Sequence, residues 1–139
     1  MKTAFLLAFC FLTASAAHAA QVGDDFAGWL KDPQFKAKYA TLIDKTPIKG
    51  AGSWAYKDAK LAPSSAFAGL NANTWVQLST CAVPKTACRA NHIDVFYDPK
   101  NQQMFAYLTL GNHVGWIGKP MSSEQKFFSP YLTAKTIPR

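Results

Sequence analysis

Carboxylates are scarce in this chain. Its 139 residues carry 15 Lys and Arg against eight acidic side chains, and Glu124 is the single glutamate. Most glycoside hydrolases need two carboxyl groups at a set separation. The aspartates available, Asp24, Asp25, Asp32, Asp44, Asp58, Asp94 and Asp98, fall mostly where caps and turns are expected. At such places Asp serves the backbone. Other catalytic signatures are also missing. No serine sits in a Gly-x-Ser-x-Gly elbow, no glycine-rich phosphate loop is present, and the three cysteines include no Cys-x-x-Cys pair. His92 and His113, with two cysteines better employed as a bridge, are too few for a metal site. No cofactor is expected.

Long apolar runs are absent as well, apart from one at the start. Lys2, the run Ala4 to Leu12 and the small-x-small triplet Ala17-His18-Ala19 make the three parts of a secretory signal. The run is shorter than the ~20 residues that span a bilayer, so no membrane anchor is expected. Cleavage after Ala19 divides the chain into a leader, 1–19, and a single mature domain, 20–139. The location expected for the mature protein is the periplasm. Cys10 lies inside the apolar run behind the bulky Phe9, which is wrong for lipoprotein processing, and leaves with the leader. That leaves Cys81 and Cys88, an even count in an oxidising compartment, where pairing is the rule. The formal charge of +7 falls to +6 with the loss of Lys2. Such a balance favours anionic partners. Location and the scatter of Lys and Arg exclude nucleic acid.

The mature chain reads as helix, sheet, helix. Asp32-Pro33 supplies a cap and a first-turn proline, and Phe35, Tyr39, Leu42 and Ile43 form one apolar stripe. Phe26 and Trp29-Leu30 begin this helix or pack on it, and Thr46-Pro47 ends it. Ser53 to Tyr56 is read as a short edge strand, Ala62 to Ser65 as a break, and Gly69 to Asn73 as a turn. Thr74 to Thr80, Asn91 to Tyr97 and Gln103 to Leu110 are β-branched or aromatic segments with short connections, which implies an antiparallel meander. Val114 to Ile117 is a candidate fourth strand. In the second segment Ile93, Val95 and Tyr97 share one face, and His92, Asp94 and Phe96 the other. Ser122 with Gln125 reads as a capping box, opening a short helix that buries Phe127-Phe128. The fold class expected is α+β: one domain with a central antiparallel sheet and helices packed on one side.

Three features could carry function. His92 and Asp94, one pleat apart on one strand face, are the best acid–base pair available. Phe105, Tyr107 and Trp116 could stack on sugars, although aromatics in strands usually build core or cover the sheet. The third feature is the loop Cys81-Ala82-Val83-Pro84-Lys85-Thr86-Ala87-Cys88. Pro84 fixes its own φ and restricts Val83, and a pre-ordered loop loses less entropy on binding. Lys85 suits a cleft lined by carboxylates, with Val83 and Thr86 as flanking contacts.

From Trp75 to Leu110 the chain resembles the inhibitor of vertebrate lysozyme (Ivy) family of bacterial periplasmic proteins. The resemblance rests on the strand before Cys81, the cystine loop, Ile93-Asp94-Val95 and Asn101-Gln102-Gln103-Met104. Trp116-Ile117-Gly118-Lys119-Pro120 and Leu132 extend it, with Trp54, Pro63 and Ala66-Phe67 as a looser upstream match. It implies an inhibitor, not an enzyme, that inserts the cystine loop into the active-site cleft of a c-type lysozyme or restrains a lytic transglycosylase. It leaves monomer and homodimer both open. The family loop is typically Cys-Lys-Pro-His-Asp-Cys; here it is two residues longer and has neither His nor Asp, so Lys85 would supply the cation. The alternatives are an envelope glycan-binding module using the basic, aromatic surface, and a hydrolase built on His92 and Asp94.

Overall fold

The structure, a computed structural model, describes residues 19–44, 55, 64–69, 73–81 and 88–132. The elements in chain order are α1 (Phe26–Trp29), α2 (Pro33–Asp44), β1 (Ser65–Ala68), β2 (Thr74–Cys81), β3 (Asn91–Asp98), β4 (Gln103–Leu110), β5 (His113–Ile117) and α3 (Ser122–Phe128). A 3-10 turn, Ser129–Tyr131, follows α3. The five strands form one antiparallel sheet in sequence order, so the α+β meander is observed. Among the described residues no helix is long and apolar enough to cross a membrane.

The two short hairpins are closed by residues suited to them. Asp98 Oδ1 accepts the backbone N–H groups of Lys100 and Asn101 at 2.9 and 3.2 Å, and its Oδ2 accepts Asn101 Nδ2–H at 2.7 Å. This local bonding by Asp is what makes Asp98-Pro99-Lys100-Asn101 a turn. Between β4 and β5 only Gly111 and Asn112 intervene, with Gly111 at φ +57°. A residue without Cβ takes that conformation without strain.

One face of the sheet carries the larger core. Val76, Leu78, Ile93, Val95, Tyr97, Ala106 and Leu108 point to it, and α1 and α2 cover them with Phe26, Trp29, Phe35, Tyr39, Leu42 and Ile43. Asp32 caps α2 as its position implied, accepting the Gln34 and Phe35 N–H groups at 2.9 and 3.1 Å through Oδ1. Phe26 and Trp29 belong to a separate helix, capped by Asp25 (Gly28 N–H at 2.7 Å). Edge-on aromatic contacts join α1 to its neighbours, Phe26 to Tyr39 of α2 at 5.1 Å and Trp29 to Tyr97 of β3 at 6.0 Å. Tyr39 donates its hydroxyl to Ala55 O at 2.8 Å, which satisfies the only polar atom of a fully buried side chain.

The opposite face, which the sequence reading left bare, is covered at one end by α3. Phe128 inserts among Trp75, Phe96, Phe105 and Trp116, with its ring 4.6 Å from Phe96 and 4.8 Å from Trp75. Gly69 permits this arrangement, because a Cβ there would collide with the Trp75 indole. The start of α3 is one residue earlier than its sequence signal: Met121 is the cap residue, and Glu124 Oε2 accepts its N–H at 2.7 Å. Gln125 instead donates to Pro120 O. The edge strand is also displaced. It is Ser65–Ala68, reaching into what was read as a break, and it pairs Phe67 with Trp75. The segment expected to form it, 53–56, lies outside the described residues except for Ala55, which is buried in a turn. The helix stop at residues 46–47 also lies outside them.

Phe128 is fully buried, so Phe128→Ala is expected to cost about 3–5 kcal/mol, read as a lowered urea midpoint with an unchanged slope.

Candidate functional site at the base of the cystine loop

The register of β2 on β3 builds this site. Cys81 lies opposite His92 and Ser79 opposite Asp94, all four on the face that α3 covers only at its other end. The Cys81–Cys88 disulfide forms, with Cα atoms 4.8 Å apart, and both cysteines are buried. The bridge therefore ties the last residue of β2 to the turn that leads into β3. Val83, Pro84, Lys85 and Thr86, the residues expected to contact a partner, lie outside the described residues.

Beneath the bridge lies a short polar ladder. Ser79 donates its hydroxyl to Asp94 Oδ1 at 2.6 Å. Asp94 Oδ2 stands 3.7 Å from His92 Nε2, and His92 Nδ1 is 3.0 Å from the Cys88 carbonyl oxygen. A carbonyl only accepts, so Nδ1 carries a proton. Among the described residues Nε2 is buried with no hydrogen-bond partner; its 3.7 Å separation from the carboxylate is too long for a hydrogen bond. His92 and Asp94 are 1 % and 0 % exposed.

This geometry bears on the hydrolase alternative. The pair expected one pleat apart on one strand face is found there, with both side chains buried. In a nucleophilic triad the serine hydroxyl bonds to the imidazole, which takes its proton. Here the hydroxyl is given to the carboxylate, and the imidazole addresses the chain at Cys88. With both groups sealed from solvent, a substrate has no approach to either. The arrangement fixes the backbone of the loop base. Ser79 was not singled out from the sequence; its signal was its parity with Cys81, two residues on and on the same face.

The remaining candidates disperse. Phe105 stacks on Trp75 at 5.8 Å, and Trp116 lies 5.9 Å from Phe96, so both belong to the packed aromatic cluster under α3. Tyr107 meets Trp116 edge-on at 5.1 Å. His113 is exposed at the start of β5, on the sheet face opposite His92. Among the described residues no three His, Cys, Asp or Glu side chains are placed to hold a metal ion.

No family model, curated protein or solved structure matches this chain.

Removing the carboxylate should expose the cost of the ladder. Asp94→Ala leaves the half-buried Ser79 hydroxyl without this acceptor, and is expected to lower stability by about 1–3 kcal/mol. Replacing both Cys81 and Cys88 by Ser is expected to cost about 2.5 kcal/mol, the loop-closure entropy of eight residues. Urea unfolding of the two variants beside the parent measures both.

Proposed function

We propose that the mature chain is a periplasmic protein inhibitor that occludes the active-site cleft of a peptidoglycan-cleaving enzyme, a c-type lysozyme or a lytic transglycosylase, with the Cys81–Cys88 loop. The observation that carries this reading is the construction of the loop base. A disulfide closes it at the end of two long paired strands, and the Ser79–Asp94–His92 ladder braces it from below. A short loop on such a base loses little freedom when it enters a cleft. In this reading Lys85 meets the cleft carboxylates, Pro84 stiffens the tip, and Val83 and Thr86 pack at its sides. Inhibition is steric and electrostatic, with no bond made or broken.

The glycan-binding alternative draws less support. Phe105 and Trp116 spend their faces on Trp75, Phe96 and Phe128 rather than on a stacking platform. Charge also bears on the target. A mature inhibitor of +6 is repelled at long range by a strongly basic lysozyme and drawn to a less basic enzyme with an acidic cleft.

Cell-wall lysis by c-type lysozyme and by a lytic transglycosylase, each titrated with the oxidised mature protein, tests the proposal. Dose-dependent inhibition of one of them is expected, weakened by about tenfold or more in Lys85→Glu and lost when the disulfide is reduced. Inhibition that is unchanged in Lys85→Glu and after reduction would remove the loop from the mechanism. No inhibition of either enzyme at micromolar excess would overturn the function.

A further inference from the structure

The backbone that follows Ala19 is tied down at once. Ala20 N–H donates to Asp32 Oδ2 at 3.2 Å, while the other oxygen of that carboxylate caps α2. Gln21 N–H donates to Asp24 Oδ2 at 2.9 Å. Gly23 N–H reaches Ser64 O at 3.1 Å and Oγ at 3.0 Å, and Ser64 N–H returns to Asp24 O at 2.9 Å. Trp29 Nε1–H donates to the same Ser64 Oγ at 2.9 Å. Five of these bonds fix a tail that contains no helix or strand, and the sixth ties Trp29 of α1 to the same serine.

Ala19 and Ala20 stand at a cavity of about 530 Å³, whose wall includes Trp29, Asp32, Val76, Tyr97 and Lys100. Burial pushes the Tyr97 phenol up from its usual value, and the Asp32 and Asp98 carboxylates push it further. The phenol therefore stays protonated and offers no charge. The charged side chains that line the cavity are Asp32 and Lys100, and Asp32 turns its Oδ2 to the Ala20 nitrogen.

We propose that removal of the leader after Ala19 turns the Ala20 amide into an α-ammonium, which docks on Asp32 and pins the mature N-terminus to the cap of α2. The inference rests on the cleavage position read from the sequence and is independent of what the cystine loop binds. Before cleavage the donor, the Ala20 N–H, is neutral and the Asp32 carboxylate alone carries charge. Afterwards both partners are charged, which strengthens the bond. Leader removal thereby strengthens a contact that the precursor already makes, so the exported form is the one whose second helix is more firmly anchored.

The sign of the pH dependence follows. An unpaired α-amino group titrates near ~8. Pairing with Asp32 raises that value in the folded state, so the contribution is full below ~8 and is lost as pH rises through the raised value.

The test uses mature protein purified after export, with its N-terminus read by mass spectrometry and the Ala20 methyl carbon followed by NMR through pH 6–11. The mass is expected to correspond to a chain starting at Ala20, and the amine to titrate about one unit above the unpaired reference of ~8. Asp32→Asn, which keeps a good helix cap, is expected to return it to the reference value. Asp24→Asn is expected to leave most of the rise in place. An amine titrating at or below the reference, a rise that survives Asp32→Asn, or an N-terminus at another residue would each overturn the proposal.

Discussion

The pairing of β2 with β3 is the constraint on which the rest of the structure depends. Every side chain of β3 from His92 to Asp98 is buried, so the strand has no solvent face on which an error of register could be tolerated. A slip of one residue would exchange Ile93, Val95 and Tyr97 with His92, Asp94 and Phe96. The helix-covered core would then receive an imidazole and a carboxylate, and the site beneath the disulfide would receive aliphatic chains. The observed register does two things together. It sets Val76, Leu78 and Thr80 across from Tyr97, Val95 and Ile93. It also puts Cys81 beside His92 and Ser79 beside Asp94, which places the loop base over its polar support.

Much of this was legible because strands β2, β3 and β4 are long and β-rich, and because β3 alternates cleanly. The α2 stripe of Phe35, Tyr39, Leu42 and Ile43 was legible for the same reason at the helical period. What escaped has a physical cause in each case. β1 is four residues, Ser-Ala-Phe-Ala, with three of them exposed. Its one anchoring side chain is Phe67, stacked on Tyr131 at 4.1 Å, a contact made across 64 residues of chain. The cover supplied by α3 depends on Phe128 reaching a pocket formed by four strands, which no local pattern records. The burial of His92 and Asp94 was hidden because a polar alternation on a strand reads the same whether its partners are water or a serine and a carbonyl. The tip residues Val83 to Thr86 were named from composition and resemblance, and their placement lies outside the described residues.

Scarcity of acid returns here as a structural fact with an electrostatic consequence. Asp25 and Asp32 cap helices, Asp98 closes a hairpin, Asp24 holds the tail turn, Asp94 braces the loop base, and Glu124 opens α3. These carboxylates face backbone N–H groups or a hydroxyl. Among the described residues, none of Lys31, Lys36, Lys38, Arg89, Lys100, Lys119 or Lys126 forms an ion pair with a carboxylate. The negative charge is thus spent on fixing the backbone, and the positive charge is presented to solvent. Arg89, exposed and adjacent to Cys88, brings part of it to the loop base. At physiological ionic strength such a field extends about 8 Å before it is screened, which is the range over which it would favour alignment with the carboxylate-lined cleft of the proposed target. A neutral or acidic surface would leave that alignment to the loop alone. The same allocation of acid that holds the fold together therefore gives its surface the sign that a plug for an acidic cleft requires.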